Sequence, residues 1–362
     1  IHLFSIIGVS SDILNLVNIA LRLINTAFDD FCDQKDAWQS YIKRHTIEQN
    51  IVDNLNNIIG LNEQNLFSII QVLSAFTKKY NSAKPPVSQW IERSNLSNKK
   101  FNFHINSAKI DVSEYLNKLI WLNAAGIVLT SATLTSLNSF DRFNQQLGLS
   151  NKENKYLRLP SPFNYKSVDF IVAKMKSSPK DAYEHTQELA SELKKRIDQE
   201  AATLVLFASN NQMQMIADLL EPSLNCKLLV QGEYSKKHIL EKHIETREKG
   251  KGSVIFGLDS FAEGIDLKGD NLNHVMIAKL RFSVPTSPIE KTTQSYLESL
   301  YRNPFMEIAL PDASLRLVQA CGRLIRSETD TGKISIFDNR LKTKFYGKQL
   351  LDALPGYNIV IE

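Results

Sequence analysis

Two hydrophobic patterns divide the chain. In the first hundred or so residues, Leu, Ile and Val recur every three or four positions over 13–31 and 38–80. This spacing puts apolar side chains on one face of a helix and predicts two long helices. Two prolines in the segment 84–87 break the region, and the alternation over 101–105 predicts a short edge strand or an extended segment.

From Trp121 onwards, short apolar runs rich in β-branched residues alternate with helical patterns. Such runs are typical of strands buried in a parallel sheet. The predicted strands are 126–131, 168–173, 203–208, 227–231, 253–257, 274–278 and 334–338. The predicted helices between them include 182–199, 211–220 and 238–249. This order predicts a doubly wound α/β domain whose ligands bind at the carboxyl ends of the strands.

The composition is that of an ordinary globular protein. The 362 residues suffice for two domains or more, and 43% are hydrophobic and 23% charged. The formal net charge of +4 permits nucleic-acid binding through local patches without requiring it.

The cysteine content and the hydropathy of the chain indicate its cellular location. The three cysteines, Cys32, Cys226 and Cys321, are far apart and form no Cys-x-x-Cys pair, which indicates a reducing compartment and a cytoplasmic location. No apolar run approaches the roughly 18–20 residues that cross a bilayer, so no membrane partner is expected. The apolar opening residues lack a Met and a basic leader, and we expect a piece of a longer chain.

The most informative segment runs from Gln319 to Arg326. A glycine, Gly322, precedes two arginines, Arg323 and Arg326, that are three positions apart. On a helix this spacing puts both guanidinium groups on one face, where they suit phosphate oxygens and the charge of a departing phosphoryl group. The alternative is an amphipathic helix with two solvated arginines.

A second segment, 257–269, contains three glycines directly after a predicted strand. Such a loop turns sharply or brings its backbone close to a ligand. Its acids Glu263 and Asp266 flank Gly264, and Asp266 is expected to bind a ribose hydroxyl or to pair with an arginine. The alternative is a turn with solvated acids.

Other polar segments follow predicted strands. Residues 131–133 offer hydroxyl groups to phosphate-linked water or to a carboxylate. Ser209 and Asn210 offer hydroxyl, amide and backbone N–H groups to a phosphate. Helix capping explains both at least as well. Residues 279–288 mix basic, aromatic and proline side chains. They either grip single-stranded DNA or form a rigid connector.

The motifs occur in an order that resembles the bacterial DinG helicases, in the XPD-like branch of superfamily 2. The resemblance covers roughly residues 90–362. It rests on Ser-Ala-Thr-Leu at 131–134, Ser-Pro-Phe at 161–163, Phe-Ala-Ser at 207–209, Ser-Phe-Ala-Glu-Gly-Ile-Asp at 260–266 and Gln-Ala-Cys-Gly-Arg-Leu-Ile-Arg at 319–326.

The resemblance implies roles for these residues. The implied catalytic residues, with arginines that reach the ATP γ-phosphate, are Gln319, Arg323 and Arg326. The implied nucleotide-binding residues are Glu263, Gly264, Asp266 and Gly322. The implied DNA contacts are Ser209, Asn210, Ser260, Phe261 and Arg281. The residues implied to couple nucleotide state to DNA binding are Ser131, Ala132 and Thr133.

The resemblance also implies a domain organisation. Residues 1–100 would be a mostly helical Arch-like segment, and 101–165 would complete a first RecA-like motor domain. Residues 166–362 would form the second RecA-like motor domain, built on a doubly wound parallel sheet.

Three parts of such a helicase are missing from the sequence: the Gly-x-x-x-x-Gly-Lys-[Ser/Thr] phosphate loop, the Asp-Glu-Ala-His box and the iron–sulfur insert. We therefore expect the C-terminal portion of a monomeric 5′-to-3′ DNA helicase with a role in DNA repair, inactive as an ATPase by itself. ATP, Mg²⁺ and an upstream 4Fe–4S cluster are the expected cofactors, and single-stranded, forked or looped DNA is the expected substrate. The alternative is a non-catalytic DNA-binding or partner-binding module.

Overall fold

The computed structural model describes residues 2–5, 11–77, 84–95, 101–131, 133–149, 154–262 and 264–362. The strands are β1 His2–Ser5, β2 Val87–Asn95, β3 Phe101–Lys109, β4 Asp169–Val172, β5 Ala202–Leu206, β6 Lys227–Val230, β7 Ser253–Gly257, β8 His274–Ile277, β9 Lys333–Ile336 and β10 Asn358–Ile361. The α-helices are α1 Ser11–Arg44, α2 Gln49–Thr77, α3 Ser113–Leu116, α4 Asp141–Leu147, α5 Ala182–Arg196, α6 Asn210–Leu220, α7 Lys236–Glu248, α8 Asp259–Ala262, α9 Pro288–Ser299, α10 Leu310–Cys321, α11 Arg340–Thr343 and α12 Gly347–Asp352. Short 3-10 or π-helical turns occupy Asn117–Trp121, Tyr165–Ser167, Glu221–Ser223, Gly269–Asn271 and Phe305–Ala309.

The chain forms two compact units. Unit 1 comprises Ile1–Val112 with Pro285–Arg302, and unit 2 comprises Ser113–Val284 with Asn303–Glu362. Residues 285–302 thus belong with the amino-terminal unit although they follow most of the second unit in sequence.

In unit 1, α1 and α2 form an antiparallel hairpin. Val17 near the start of α1 packs with Leu73 and Phe76 near the end of α2, and Lys35 pairs with Glu63 at 2.7 Å. The two helices were predicted, but α1 continues to Arg44 because neither glycine nor proline interrupts residues 32–37.

The segment predicted as mostly helical also contributes strands. β1, β2 and β3 form an antiparallel sheet in that order. The edge strand predicted at 101–105 is confirmed, and it extends to Lys109. Strand β2 was not predicted, because its polar and apolar residues do not alternate strictly.

Unit 2 is built on a seven-stranded sheet with the order β10-β4-β9-β8-β5-β7-β6. Every neighbouring pair is parallel. Alternate residues of β7 enter opposite cores: Ile255 packs on one face of the sheet, and Val254 and Phe256 on the other. The prediction of a parallel α/β fold is confirmed.

One predicted strand is wrong. Residues 126–131 adopt no regular structure and are exposed, with Val128 at 90%. An apolar β-branched run becomes a strand only where a neighbouring strand satisfies its backbone groups, and the described part of the chain provides no such neighbour. β10 is the opposite case: it pairs with β4, yet it was not predicted.

Candidate functional site

The arginine motif spans the end of α10 and the turn that follows it in unit 2. Leu317, Cys321 and Leu324 are buried and anchor the end of the helix and the turn that follows it. The helix ends at Cys321 with Gly322 as its C-cap, so the expectation that Arg323 and Arg326 share a helix face is wrong. Glycine is followed here by a tight turn, in which Arg323 N–H donates to the Ala320 carbonyl at 3.2 Å.

The two arginines nevertheless converge on one atom of the glycine-rich loop. Arg323 Nη1 donates to the carbonyl oxygen of Ile265 at 3.4 Å, and Arg326 Nη2 donates to the same oxygen at 2.9 Å. Arg326 Nε is buried and makes no hydrogen bond to any residue that the structure describes. Both guanidinium groups therefore donate to the glycine-rich loop. The Nε–H of Arg326 is left as a buried donor that a further acceptor could use.

The structure explains why glycine occupies two positions of the glycine-rich loop, Gly257 and Gly264. A Cβ on Gly257 would lie 2.6 Å from the Phe261 side chain, so the missing side chain lets Phe261 pack into the core. Gly264 has a φ of +63°, which is a left-handed conformation that glycine adopts without strain. Ile265, which follows it, is buried.

Two acidic residues of this loop, Glu263 and Asp266, were predicted to belong to the site. Asp266 is well exposed; its carboxylate lies 4.0 Å from Arg326 Nε and 3.3 Å from Lys268 Nζ. Asp266 was expected to bind a ribose hydroxyl or to pair with an arginine, and the structure places Arg326 beside it. Glu263, also predicted here, lies outside the described residues.

Asp330 connects the arginine turn to the glycine-rich loop. Its carboxylate accepts hydrogen bonds from the backbone N–H groups of Arg326 at 2.7 Å, Ser327 at 2.8 Å and Gly269 at 3.2 Å. The Ser327 hydroxyl donates at 2.7 Å. Burial alone would raise the pKa of Asp330, but these donors hold it below its usual value.

Sequence reasoning missed Asp330. Its signal was a Ser-x-x-Asp spacing directly after the arginine motif, in a segment with turn-forming residues before Gly332. That pattern predicts a local side-chain-to-backbone turn, but it says nothing about the contact with Gly269.

Gln319 lines a cavity of about 240 Å³ beside α10. The same cavity is bordered by Ser260 and Arg281, two of the residues implied to contact DNA. Arg281 forms an ion pair with Asp259, and Ser260 Oγ donates to Gln231 Oε1 at 3.1 Å. Three motifs separated in sequence thus border one cavity.

Phe261 differs from its neighbours. Its side chain is fully buried in the core, so a stacked base cannot reach the ring. The expectation of a DNA contact through this side chain is therefore corrected. The Phe261 side chain instead packs in the core and anchors the loop there.

Ser209 and Asn210 follow β5 as predicted. Ser209 is the N-cap of α6, and its side chain accepts from the Gln212 backbone N–H at 3.4 Å. Asn210 is exposed at the first position of the helix. The capping interpretation of Ser209 is confirmed. The side chain of Asn210 is exposed and so is accessible to a phosphate.

Ser131 and Thr133 lie in an exposed segment in which the Thr133 backbone N–H donates to Ser131 Oγ at 3.2 Å. Ala132 lies outside the described residues. The following residues pack within unit 2: Leu137 N–H donates to Ser314 Oγ at 3.3 Å, and Arg142 pairs with Asp312 at 3.3 Å. Leu137 and Arg142, which follow this segment, therefore contact α10, the helix that carries Gln319.

No cluster of three or more His, Cys, Asp or Glu side chains that would hold a metal ion occurs among the residues that the structure covers. None of the helices over those same residues combines the length and apolar character that a bilayer span requires.

Comparisons with known proteins place the chain in a family. Residues 193–357 match the family described as Helicase C-terminal domain. The ATP-dependent DNA helicase DinG of Photobacterium profundum is 38% identical over 325 residues, which is 89% of this chain and 47% of that protein. This chain corresponds to part of a DinG-type helicase and contains a helicase C-terminal domain. DinG of Escherichia coli (strain K12) is 39% identical over 284 residues, which is 77% of this chain and 39% of that protein. The chain thus spans about half of these relatives or less.

Solved structures support the fold. An apo XPD structure has a TM-score of 0.51 at 20% identity, covering 86% of this chain and 59% of its own. A second XPD helicase structure has a TM-score of 0.50 at 16% identity, covering 88% of this chain and 56% of its own. The parallel sheet of unit 2 is accordingly an α/β fold of the RecA-like type.

Proposed function

We propose that this chain is the part of an ATP-dependent DNA helicase that supplies Arg323 and Arg326 to the γ-phosphate of ATP. The observation that carries the proposal is the convergence of both guanidinium groups on the Ile265 carbonyl of the glycine-rich loop. Arginines fixed at one point stabilise the charge that spreads over the phosphoryl oxygens in the transition state.

The residues around the arginines fit a nucleotide phosphate. Among the described residues, buried Arg326 Nε has no hydrogen-bond acceptor, and an anion would supply one. Asp330 holds the backbone of Arg326, and Gln319 lines the neighbouring cavity. Bound Mg²⁺ would neutralise part of the phosphate charge, while Arg323 and Arg326 orient the phosphoryl oxygens.

We further propose that ATP hydrolysis drives 5′-to-3′ translocation on single-stranded DNA and unwinding of forked or looped duplexes. Ser209, Asn210, Ser260 and Arg281 would contact the DNA. The segment 131–133 would couple nucleotide state to DNA binding, and the hydrogen bond of nearby Leu137 to Ser314 of α10 supports that role.

The chain by itself is proposed to be inactive as an ATPase, because its sequence contains no phosphate loop and no Asp-Glu-Ala-His box. These parts and the 4Fe–4S cluster would be upstream in the full-length protein, a cytoplasmic monomer that acts in DNA repair. Residues 1–100 would be its Arch-like segment. The exposed run 126–131 would complete the sheet of the first motor domain, which ends near residue 165; residues 166–362 would be the second.

The test is DNA-dependent ATP hydrolysis and unwinding by the full-length protein. We expect hydrolysis to rise when single-stranded DNA is added. We also expect duplexes with a 5′ single-stranded tail to be unwound and duplexes with a 3′ tail to be left intact. Absence of DNA-stimulated hydrolysis would refute the helicase proposal, and unwinding from the 3′ tail alone would refute the direction.

A second candidate function is a non-catalytic DNA-binding module. It is favoured by the cations Lys279, Arg281 and Arg316, which line the same cavity. The two functions differ in one measurement: a DNA-binding module would bind single-stranded DNA in a salt-dependent manner, yet the full-length protein would not hydrolyse ATP.

A further inference from the structure

The segment between β6 and α7 contacts the start of the glycine-rich loop. Gln231 directly follows β6, and its backbone N–H donates to the Phe256 carbonyl of β7 at 2.9 Å. This hydrogen bond continues the pairing of β6 and β7 by one residue beyond Val230. Gln231 is therefore held beside the carboxyl end of β7, where the glycine-rich loop begins.

The half-buried Gln231 side chain accepts two hydrogen bonds from this loop. The Leu258 backbone N–H donates to Gln231 Oε1 at 2.8 Å, and Ser260 Oγ donates to the same oxygen at 3.1 Å. Helix α8 begins at Asp259 and spans only four residues. Backbone N–H groups at the start of a helix have no partner inside it, so the Gln231 side chain supplies an acceptor that α8 cannot.

Lys236, the first residue of α7, contacts the same loop. Its ammonium group donates to the Ser260 carbonyl oxygen and lies 5.5 Å from the centroid of the Phe261 ring. A Cβ placed on Gly264 would lie 3.7 Å from Lys236 Nζ. Lys236 therefore reaches both α8 and the left-handed glycine that precedes Ile265.

The position of this loop matters because the Ile265 carbonyl oxygen receives both Arg323 and Arg326. A shift of about 1 Å in a group that orients the reaction can lower a rate about 10²-fold. Gln231 and Lys236, called the loop clamp below, hold the loop before and at Gly264. The clamp therefore limits how far the arginine acceptor can move.

We propose that Gln231 and Lys236 are positioning residues for ATP hydrolysis. They hold the glycine-rich loop so that the Ile265 carbonyl keeps the two arginines directed at the phosphate. This role rests on the proposed function, and it is exerted through the loop and not through contact with the nucleotide. The Oε1 atom of Gln231 contributes most, since two donors of the loop share it.

The test makes two measurements on variants of the full-length protein: amide hydrogen exchange in peptides that cover 257–262 and 264–268, and DNA-stimulated ATP hydrolysis. Gln231→Met removes the acceptor at a similar side-chain length, whereas Gln231→Glu keeps an acceptor oxygen. Lys236→Met removes the donor. The matched controls are Gln349→Met, because Gln349 is exposed on α12, and Lys237→Met, because Lys237 is 87% exposed and its nearest carboxylate is Glu241 at 3.8 Å.

We expect Gln231→Met to speed exchange in both peptides about tenfold, because two donors of the loop lose their acceptor. The kcat for ATP hydrolysis should fall about tenfold at an unchanged KM for ATP, because the arginines act in the transition state. Lys236→Met should change exchange and kcat in the same direction. Gln231→Glu should restore most of both, and the two control variants should behave like the parent protein.

Two results would overturn the proposal: exchange in Gln231→Met equal to that in Gln349→Met, or faster exchange with an unchanged kcat. A failure of the helicase function is different, because it is seen in the parent protein as hydrolysis that single-stranded DNA does not stimulate. A failure of the clamp is seen only in the variants. The exchange measurement needs no hydrolysis, so it decides whether the clamp holds the loop even where the parent protein is inactive.

Discussion

Replacing Asp330 tests whether one carboxylate holds the arginine turn on the glycine-rich loop. Asp330→Ala removes an acceptor used by three backbone N–H groups and one hydroxyl. A hydrogen bond to a charged group contributes about 1.5–3 kcal/mol. Water that enters the vacated site would satisfy part of these donors, so we expect a loss of about 3–5 kcal/mol in the local opening free energy.

The assay is amide hydrogen exchange at pH 7, followed by mass spectrometry on peptides that cover 264–272 and 322–331. A loss of about 3 kcal/mol corresponds to roughly 10²-fold faster exchange in both peptides. Asp270→Ala is the control, because Asp270 lies in the same loop with an exposed side chain. Asp330→Asn keeps one acceptor oxygen and should fall between the alanine variant and the parent.

The pH dependence of this contact has a defined sign. The pKa of Asp330 is depressed in the folded chain, so its stabilisation is present above the unfolded value near 3.8 and disappears as the pH falls through the lower folded value. Unchanged exchange in Asp330→Ala at pH 7, in both peptides, would refute the connecting role.

Three further predictions concern the packing of the chain. Burial, followed by the charges of Lys333 and Arg196, lowers the pKa of His274 to about 3. Between pH 7 and pH 5 this histidine takes up a proton in the unfolded chain but not in the folded one, so the free energy of unfolding of unit 2 should fall by about 2 kcal/mol. In urea unfolding, His274→Gln should lose that pH dependence. Phe261→Ala should lower stability by about 3–5 kcal/mol in thermal or urea unfolding, whereas Ala at the exposed Phe345 should change it little; equal effects would contradict the buried role. Gly264→Ala imposes a φ of +63° on alanine and should cost about 1–2 kcal/mol by urea unfolding; an unchanged midpoint would show that the loop relaxes.

Sequence patterns predicted the sheet of unit 2 well because its strands are buried on both faces. In β5 and β7, all residues are buried, and such runs are recognisable without knowledge of their neighbours. The run 126–131 has the same composition but lies exposed. Composition reports the tendency to form a strand, whereas strand formation also needs a hydrogen-bonding neighbour.

The candidate site was predictable to a similar extent. Spacing and residue type identified the arginine motif and the glycine-rich loop, but the shared helix face proposed for the arginines is wrong, since α10 ends at Cys321. Their convergence depends on Ile265 and Asp330, which act through a backbone carbonyl and a long-range carboxylate contact. Contacts of this kind leave no periodic signal in a sequence.

The central claim is that the arginine pair serves ATP hydrolysis, and DNA-stimulated hydrolysis by the full-length protein carrying Arg326→Ala tests it most directly. Arg340→Ala is unsuitable as a control because Arg340 pairs with buried Asp338. Lys194→Ala is used instead, because Lys194 is exposed on α5. We expect Arg326→Ala to reduce the rate by on the order of 10³-fold while single-stranded DNA is still bound. A hydrolysis rate equal to that of the Lys194 variant would contradict the account.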